Sequence, residues 1–241
     1  MIKAVLFDMF DTLADAHRSM EQAECDALAI SREQWSKAMW EKSLTYDRGI
    51  GNIKTVREMI DRACGNLTVE TTPAQRTAAE KARCERLRMA MTDMDPQIVE
   101  TIRTLKDMRM KVGLVSNADV CDRKYWKESP IFPFFDDAIF SCDVGLLKPD
   151  PEIYERALSN RGVSPEEAVF IGDGGSRELA GAKALGMKTV CTEYLRIHDE
   201  NERRDIHQSA DWVVLRFDTL KDIVQKEIWK NEELNENGEG A

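Results

Sequence analysis

Residues 1–13 read Met1-Ile-Lys-Ala-Val-Leu-Phe-Asp8-Met-Phe-Asp11-Thr12-Leu13. Ala4 to Phe7 form a short apolar run, the pattern of a strand buried on both faces. The run stops abruptly at two carboxylates and a threonine. In an open α/β sheet, chemistry sits beyond the carboxyl ends of the strands, so Asp8 stands where a catalytic carboxylate would be. Such a carboxylate can act as a nucleophile, splitting one displacement into two easier steps through a covalent intermediate. Taken alone, the stretch is equally well read as a turn or helix-cap aspartate. The rest of the chain decides between these readings.

After Leu13 the character changes. Residues 16–91 read as helices with no strand. Ser31-Arg-Glu-Gln34 has the capping-box pattern and opens a helix through Trp35, Met39 and Trp40. Gly49-Ile-Gly51 breaks the pattern. Apolar Val56, Met59, Ile60 and Ala63 resume it, and Thr71-Thr-Pro73 starts another helix through Ala74, Ala78, Ala82 and Leu87. From Asp95 onward strands and helices alternate. Strands are expected at Lys111 to Val115, Ala138 to Phe140, Ala168 to Ile171, Met187 to Cys191 and Asp211 to Leu215. Helices are expected from Asp95-Pro96 to Met108, Asp119 to Lys127, Asp150-Pro151 to Asn160, Ser176 to Leu185 and Thr219 to Trp229, with a further capping box at Ser164 to Glu167. This alternation implies a doubly wound, Rossmann-like parallel sheet with right-handed crossovers. The expected organisation is an α/β core of residues 1–15 and 92–230, an inserted all-helical cap over 16–91, and a disordered tail over 231–241.

The chain has 241 residues, 42% apolar and 32% charged, with a net charge of -10. That balance argues against nucleic acid or an anionic membrane as partner, since both call for a basic face. A small anionic substrate remains compatible, provided cations are placed locally. There is no apolar run of 18 residues and no signal-peptide pattern, so no membrane span is expected. The six cysteines are scattered, with neither Cys-x-x-Cys spacing nor a histidine cluster. A reduced, cytoplasmic protein, monomer or homodimer, is the expectation.

Three strand ends carry polar groups: Asp8, the pair Ser116-Asn117, and Asp173. Lys148 lies in the loop before the Asp150 helix. In a doubly wound sheet these ends converge on one crevice. Gly172-x-Gly174 is rejected as a dinucleotide loop, because Arg177 replaces the third small residue and Asp173 would repel a pyrophosphate. Tyr154 is read as helix packing. With these motifs in this order, the chain resembles the haloacid dehalogenase superfamily of aspartate-nucleophile hydrolases, in the group whose helical cap follows the first strand. The resemblance implies Asp8 as nucleophile, Ser116 as the hydroxyl bonding the transferring group, and Lys148 as a fixed cation. It implies a Mg2+ site formed by Asp8, the Phe10 carbonyl and Asp173, with Glu178 reaching the metal through water or orienting Asp173. Phe10, Thr12 and Asn117 are expected at the substrate, with Arg48 contributed by the cap.

Two departures pull in opposite directions. Most phosphatases of this superfamily carry a second aspartate two residues after the nucleophile, as general acid and base. Here Phe10 occupies that position, and a phenyl ring donates no proton. Asp11 is not given the role, since neighbouring side chains on an extended segment point opposite ways. The hydrolytic 2-haloacid dehalogenases carry tyrosine at the Phe10 position, and a halide leaves without a proton. Yet those enzymes have lost the acidic fourth motif, whereas this chain keeps Asp173 and has Glu178. The expected activity is magnesium-dependent hydrolysis of a small phosphate monoester through an aspartyl-phosphate. The alternatives are a 2-haloacid dehalogenase or a catalytically weak binding module.

Overall fold

The computed structural model describes residues 1–15 and 22–227. Six parallel strands form one sheet: β1 (Ala4–Phe7), β2 (Lys111–Ser116), β3 (Asp137–Phe140), β4 (Ala168–Gly172), β5 (Lys188–Thr192) and β6 (Trp212–Val214). Their spatial order is β3-β2-β1-β4-β5-β6. The chain thus builds outward from β1 on one side, then returns to β1's other edge and builds the opposite way. That reversal makes the gap between β1 and its neighbours the topological switch point, where a crevice opens beyond the carboxyl ends. Register brings the strand ends level, with Phe7 opposite Leu114 on one side and Ile171 on the other.

Alternation along β1 divides the core. Val5 and Phe7 join the cluster with Ile98, Ile102 and Leu105 of α6 (Pro96–Asp107) and with Phe217. Ala4 and Leu6 face the other way, onto α8 (Pro151–Arg161) and α9 (Glu178–Ala184) through Tyr154, Leu158, Leu179 and Ala182. Both faces of β1 are therefore covered, which accounts for its unbroken apolar run. A one-turn helix, α7 (Ser141–Val144), follows β3, and α10 (Glu200–Gln208) precedes β6. Among the described residues, none of the helices is long and apolar enough to cross a membrane.

The described residues between β1 and α6 form five helices: α1 (Gln22–Leu28), α2 (Arg32–Met39), α3 (Lys42–Gly49), α4 (Val56–Gly65) and α5 (Pro73–Thr92). They enclose a separate apolar cluster built on Trp35, Met39, Leu44, Met59, Ile60 and Leu87. Phe10 packs against both this cluster and the sheet's. The Ser31 capping box forms as expected, and Thr72 rather than Thr71 caps α5.

Several expectations need correction. The helix expected to run through Trp40 stops at Met39, and Trp40 is 60% exposed. The helix expected from Asp119 is a 3-10 segment, Asp122–Glu128. The Ser164 capping box forms but opens a single 3-10 turn before β4. α9 begins at Glu178 rather than Ser176, because Ser176 and Arg177 are both left-handed, each with φ of 54°. Asp150 occupies the cap position of α8 without a side-chain capping bond. α10 was missed because its apolar positions are few. The expected tail, residues 231–241, and the end of the last expected helix lie outside the described residues, while residues 220–227 are helical.

Gly51 fixes how the helical layer meets the sheet. Its φ is +74°, and an added Cβ would stand 1.9 Å from the Cys142 carbonyl oxygen. Both objections are to backbone, so no flexible side chain can yield. Gly51→Ala is expected to destabilise the protein by about 2–5 kcal/mol, combining left-handed strain with overpacking. Urea denaturation checks this, and an unchanged midpoint would mean that the layers separate freely here.

Candidate active site

Asp8 follows β1 directly, its N–H donating to the Ile171 carbonyl at 2.9 Å. This bond extends the sheet by one residue and aims the carboxylate into the crevice. The chain then turns. Leu13 N–H and Ala14 N–H both donate to the Met9 carbonyl, and Asp11 is left-handed with φ of 59°. The segment is therefore not extended past Asp8, and the alternation expected for Asp11 does not apply. Asp11 lines the same cavity as Asp8, and its Oδ2 accepts from Arg196 Nη1 at 3.2 Å.

Lys148 is buried and joins two carboxylates: Nζ lies 2.5 Å from Asp8 Oδ1 and also donates to Glu178 Oε2. Its place is set through its main chain. The Asn117 side chain accepts from Lys148 N–H at 2.8 Å and donates to the Lys148 carbonyl at 3.0 Å, tying the β2 end to the Lys148 loop. Asn117 thus lines the cavity with its amide already engaged.

Glu178 is brought beneath β4 by three left-handed residues, Gly174, Ser176 and Arg177, which fold the chain back after Asp173. Its Oε1 accepts from Gly174 N–H at 3.2 Å. Gly172 makes room for it, since a Cβ there would lie 2.0 Å from that oxygen. Tyr154, fully buried, donates its hydroxyl to the Glu178 carbonyl at 2.9 Å. Reading it as packing was sound as far as it went, and it missed this bond.

Asp8, Asp173 and Glu178 each present a carboxylate oxygen within 4.8 Å of the others, and all three are buried. Burial, reinforced by the neighbouring carboxylates, pushes the Asp8 and Glu178 carboxyls above the usual range despite the Lys148 charge. Burial disfavours the Lys148 ammonium as well, but the two carboxylates outweigh it and hold its pKa above the lysine norm. Asp173 behaves differently: burial opposes ionisation, yet hydrogen bonds from His198 and the Gly175 N–H hold it low. His198 Nε2 is 3.2 Å from Asp173 Oδ2 and Arg196 Nη1 is 3.6 Å away. A second ligand-like group, Cys191, Glu193 and His207, is explained without metal, since Arg203 grips both Glu193 oxygens at 2.9 and 2.8 Å.

The remaining expected residues divide. Ser116 and Thr12 are fully buried at the strand ends and do not line the cavity. Thr12 Oγ1 is 3.5 Å from Asp8 Oδ2, whereas Ser116 Oγ has no hydrogen-bond partner among the described residues. Phe10 and Arg48 line the cavity, which holds roughly 900 Å³ between sheet and helical layer. Arg48 is buried at the end of α3. Its guanidinium lies 4.3 Å from the Trp40 ring centroid, and Nη1 is 3.4 Å from Asp119 Oδ2. Sequence reasoning missed Arg196, His198 and Arg83. Arg196 had a findable signal, because it follows β5 at the same sheet edge.

Asp119 joins the layers. Its Oδ1 accepts from the N–H groups of Cys121 and Asp122, and its Oδ2 from buried Arg83 of α5 at 2.8 Å. Burial raises its pKa, but the charges of Arg83 and then Arg48 prevail and hold it below the carboxylate norm. A carboxyl lowered on folding contributes stability above its unfolded value, and that contribution is lost as pH falls through the folded value. Asp119→Asn is expected to cost about 3–5 kcal/mol near neutrality, because buried guanidinium charge is left uncompensated. The gap between variant and parent should narrow on acidification. Urea titrations across pH check this, and a pH-independent gap would remove charge as the cause.

The model of haloacid dehalogenase-like hydrolases matches residues 2–186. A glyceraldehyde 3-phosphate phosphatase of Methanopyrus kandleri is 28% identical, over 94% of this chain and 98% of its own. An (S)-2-haloacid dehalogenase of Burkholderia cepacia is 27% identical, over 78% of this chain and 82% of its own. Among solved structures, a magnesium-bound hydrolase of Bacillus subtilis superposes with a TM-score of 0.68 at 19% identity, covering 93% of this chain and 99% of that one. At that identity the likeness concerns the fold.

Proposed function

The chain belongs to the haloacid dehalogenase-like hydrolases, and we propose that it hydrolyses small phosphate monoesters with Asp8 as nucleophile. The carrying observation is the cluster of buried carboxylates at the strand ends. Asp8, Asp173 and Glu178 contribute three buried carboxylates, and Lys148 directly offsets one. Arg196 is shared with Asp11, so those two cancel. Three carboxylate oxygens held this close together, with Lys148 bonded to only two of the groups, suit a divalent cation with hard oxygen ligands. Asp8, Asp173 and Glu178, with the Phe10 carbonyl, would hold Mg2+. Such an ion, when bound, supplies the positive charge that lets a phosphate dianion approach a carboxylate.

The residues themselves do the rest. Asp8 attacks phosphorus, forming an aspartyl-phosphate as the ester oxygen departs. Lys148 holds Asp8 in its attacking position and offsets charge developing on the phosphoryl oxygens. Ser116 keeps a buried hydroxyl without a partner among the described residues, but it does not line the cavity, so we give it no contact with those oxygens. Phe10 excludes water but moves no proton. Asp11, turned into the cavity and paired with Arg196, is the carboxylate we assign to proton transfer with leaving group and hydrolytic water. The name of the Methanopyrus relative supports a small phosphorylated substrate.

The second reading is a 2-haloacid dehalogenase. It is favoured by Phe10 and by buried Arg48, which would meet a substrate carboxylate, and by the Burkholderia relative. The three-carboxylate cluster weighs against it, because halide displacement has no use for those charges.

Hydrolysis of p-nitrophenyl phosphate decides between them. Turnover should require magnesium, stop with chelator, and fall on the order of 10⁴-fold or more in Asp8→Asn. Halide release from 2-chloropropionate without phosphatase turnover would select the second reading. Asp11→Asn isolates the proton carrier, since asparagine accepts left-handed backbone as readily as aspartate. Alkyl phosphate hydrolysis should slow about 10²–10⁴-fold in that variant, while p-nitrophenyl phosphate, whose leaving group needs no proton, changes little. Equal rates on both substrates would withdraw the role from Asp11.

A further inference from the structure

Beside the Asp119 bridge, α5 brings a sulfur against the loop that follows β2. Cys84 Sγ and Cys121 Sγ are 3.8 Å apart, although 37 residues separate them in sequence. Cys121 is fully buried, and its N–H donates to Asp119 Oδ1 at 2.8 Å, so its backbone is held firmly. Cys84 is half-buried and reaches the surface, where Lys124 places Nζ 3.9 Å from its sulfur. Neither thiol lines the catalytic cavity, and the reaction proposed above uses neither.

We propose that Cys84 and Cys121 form a redox-active dithiol, which a small-molecule disulfide oxidises to a covalent tie between α5 and the core loop. The assignment rests on contact, exposure and neighbouring charge, and is independent of which reaction Asp8 performs. One sulfur is reachable and cationically flanked, and the other is buried directly behind it. That is the arrangement of an attacking and a resolving thiol. The protonation preferences agree. The hydrogen bond from Cys121, helped by Tyr125 and Lys124 against burial, draws Cys84 down to about 6, while the same bond and burial push Cys121 up.

The exchange balances. Cys84 thiolate attacks one sulfur of the small disulfide, breaking its S–S bond and expelling one thiolate. Cys121 gives up its proton, attacks Cys84 Sγ and expels the second. Two electrons pass from the protein thiols to the oxidant, which leaves as two thiols. The sulfurs need close only from contact to a bonded distance of about 2.05 Å. The tie would fall one residue from Arg83 and two from Asp119, making covalent the junction that their ion pair makes electrostatically.

The test uses the full chain, native and unliganded, incubated with oxidised glutathione and then alkylated in denaturant. All six cysteines are free thiols before treatment. Protection of two thiols, a mass lower by two hydrogens, and a peptide joining Cys84 to Cys121 are expected, all reversed by dithiothreitol. Cys121→Ser should instead accumulate a glutathione adduct on Cys84. In the unmutated protein, a stable adduct on Cys84 with Cys121 still open to alkylation would overturn the proposal. So would a crosslink confined to other cysteines, or six thiols surviving treatment.

Discussion

A single buried ammonium organises this molecule. Lys148 lies between Asp8 and Glu178, with Asp173 beside them, and each ion taken out of water costs several kcal/mol before its partners compensate. Removing the lysine would leave carboxylates that repel one another in a low-dielectric setting, so the fold has to hold the cation in place. It does so from three directions. Asn117 clamps the Lys148 main chain. Gly172 and the left-handed run after Asp173 carry Glu178 under the sheet. Asp8 is the first residue beyond a strand whose both faces are sealed. Every apolar contact of β1 and β4 therefore bears on the position of these charges.

The second ionic centre is of another kind. Asp119 gathers two arginines from the helical layer onto a loop that begins with Asn117. The same short loop thus positions Lys148 at one end and grips α5 at the other. Displacement of α5 is transmitted to this loop through buried charge, which tolerates separation poorly. Asp122 adds to the constraint: burial and the Asp119 charge push its carboxyl up to about 6 against the pull of Arg83 and Arg48, a sign of how closely these charges are crowded. The Arg48, Arg83, Asp119 and Asp122 side chains that line the cavity are consequently committed to one another.

How much of this was legible in the sequence follows from the length scale of each signal. The central strands β1 and β4 were plain, because burial on both faces leaves an unbroken apolar run. Asp8 and Asp173 were legible as neighbours because strand ends in a parallel sheet must converge, whereas Lys148 and Glu178, which stand at no strand end, were reached through the family resemblance. What was missed depends on local backbone conformation. Asp11 was misread because nothing short of the Met9 carbonyl accepting two N–H groups reveals that the chain turns left-handed there. The start of α9 was misplaced for the same reason, since Ser176 and Arg177 carry no glycine-like signature. Trp40 was placed inside the Ser31 helix because apolar periodicity continues through it, while the helix itself stops one residue earlier.

The exchange of acid for phenyl at residue 10 makes physical sense within this arrangement. The Phe10 ring is the side chain that packs against both the sheet's apolar cluster and that of the helical layer. A carboxylate in its place would put charge between two apolar bodies and weaken their contact. On the proposed assignment, a carboxylate one residue further on, in a left-handed turn, separates the two demands. The aromatic ring keeps the layers together, and Asp11 still faces the cavity with an arginine to hold it. The turn is what makes this possible: without a positive φ at Asp11, its side chain would be directed away from Asp8. The strain of one left-handed aspartate, about 1–2 kcal/mol, is small beside the apolar contact that Phe10 provides across the junction.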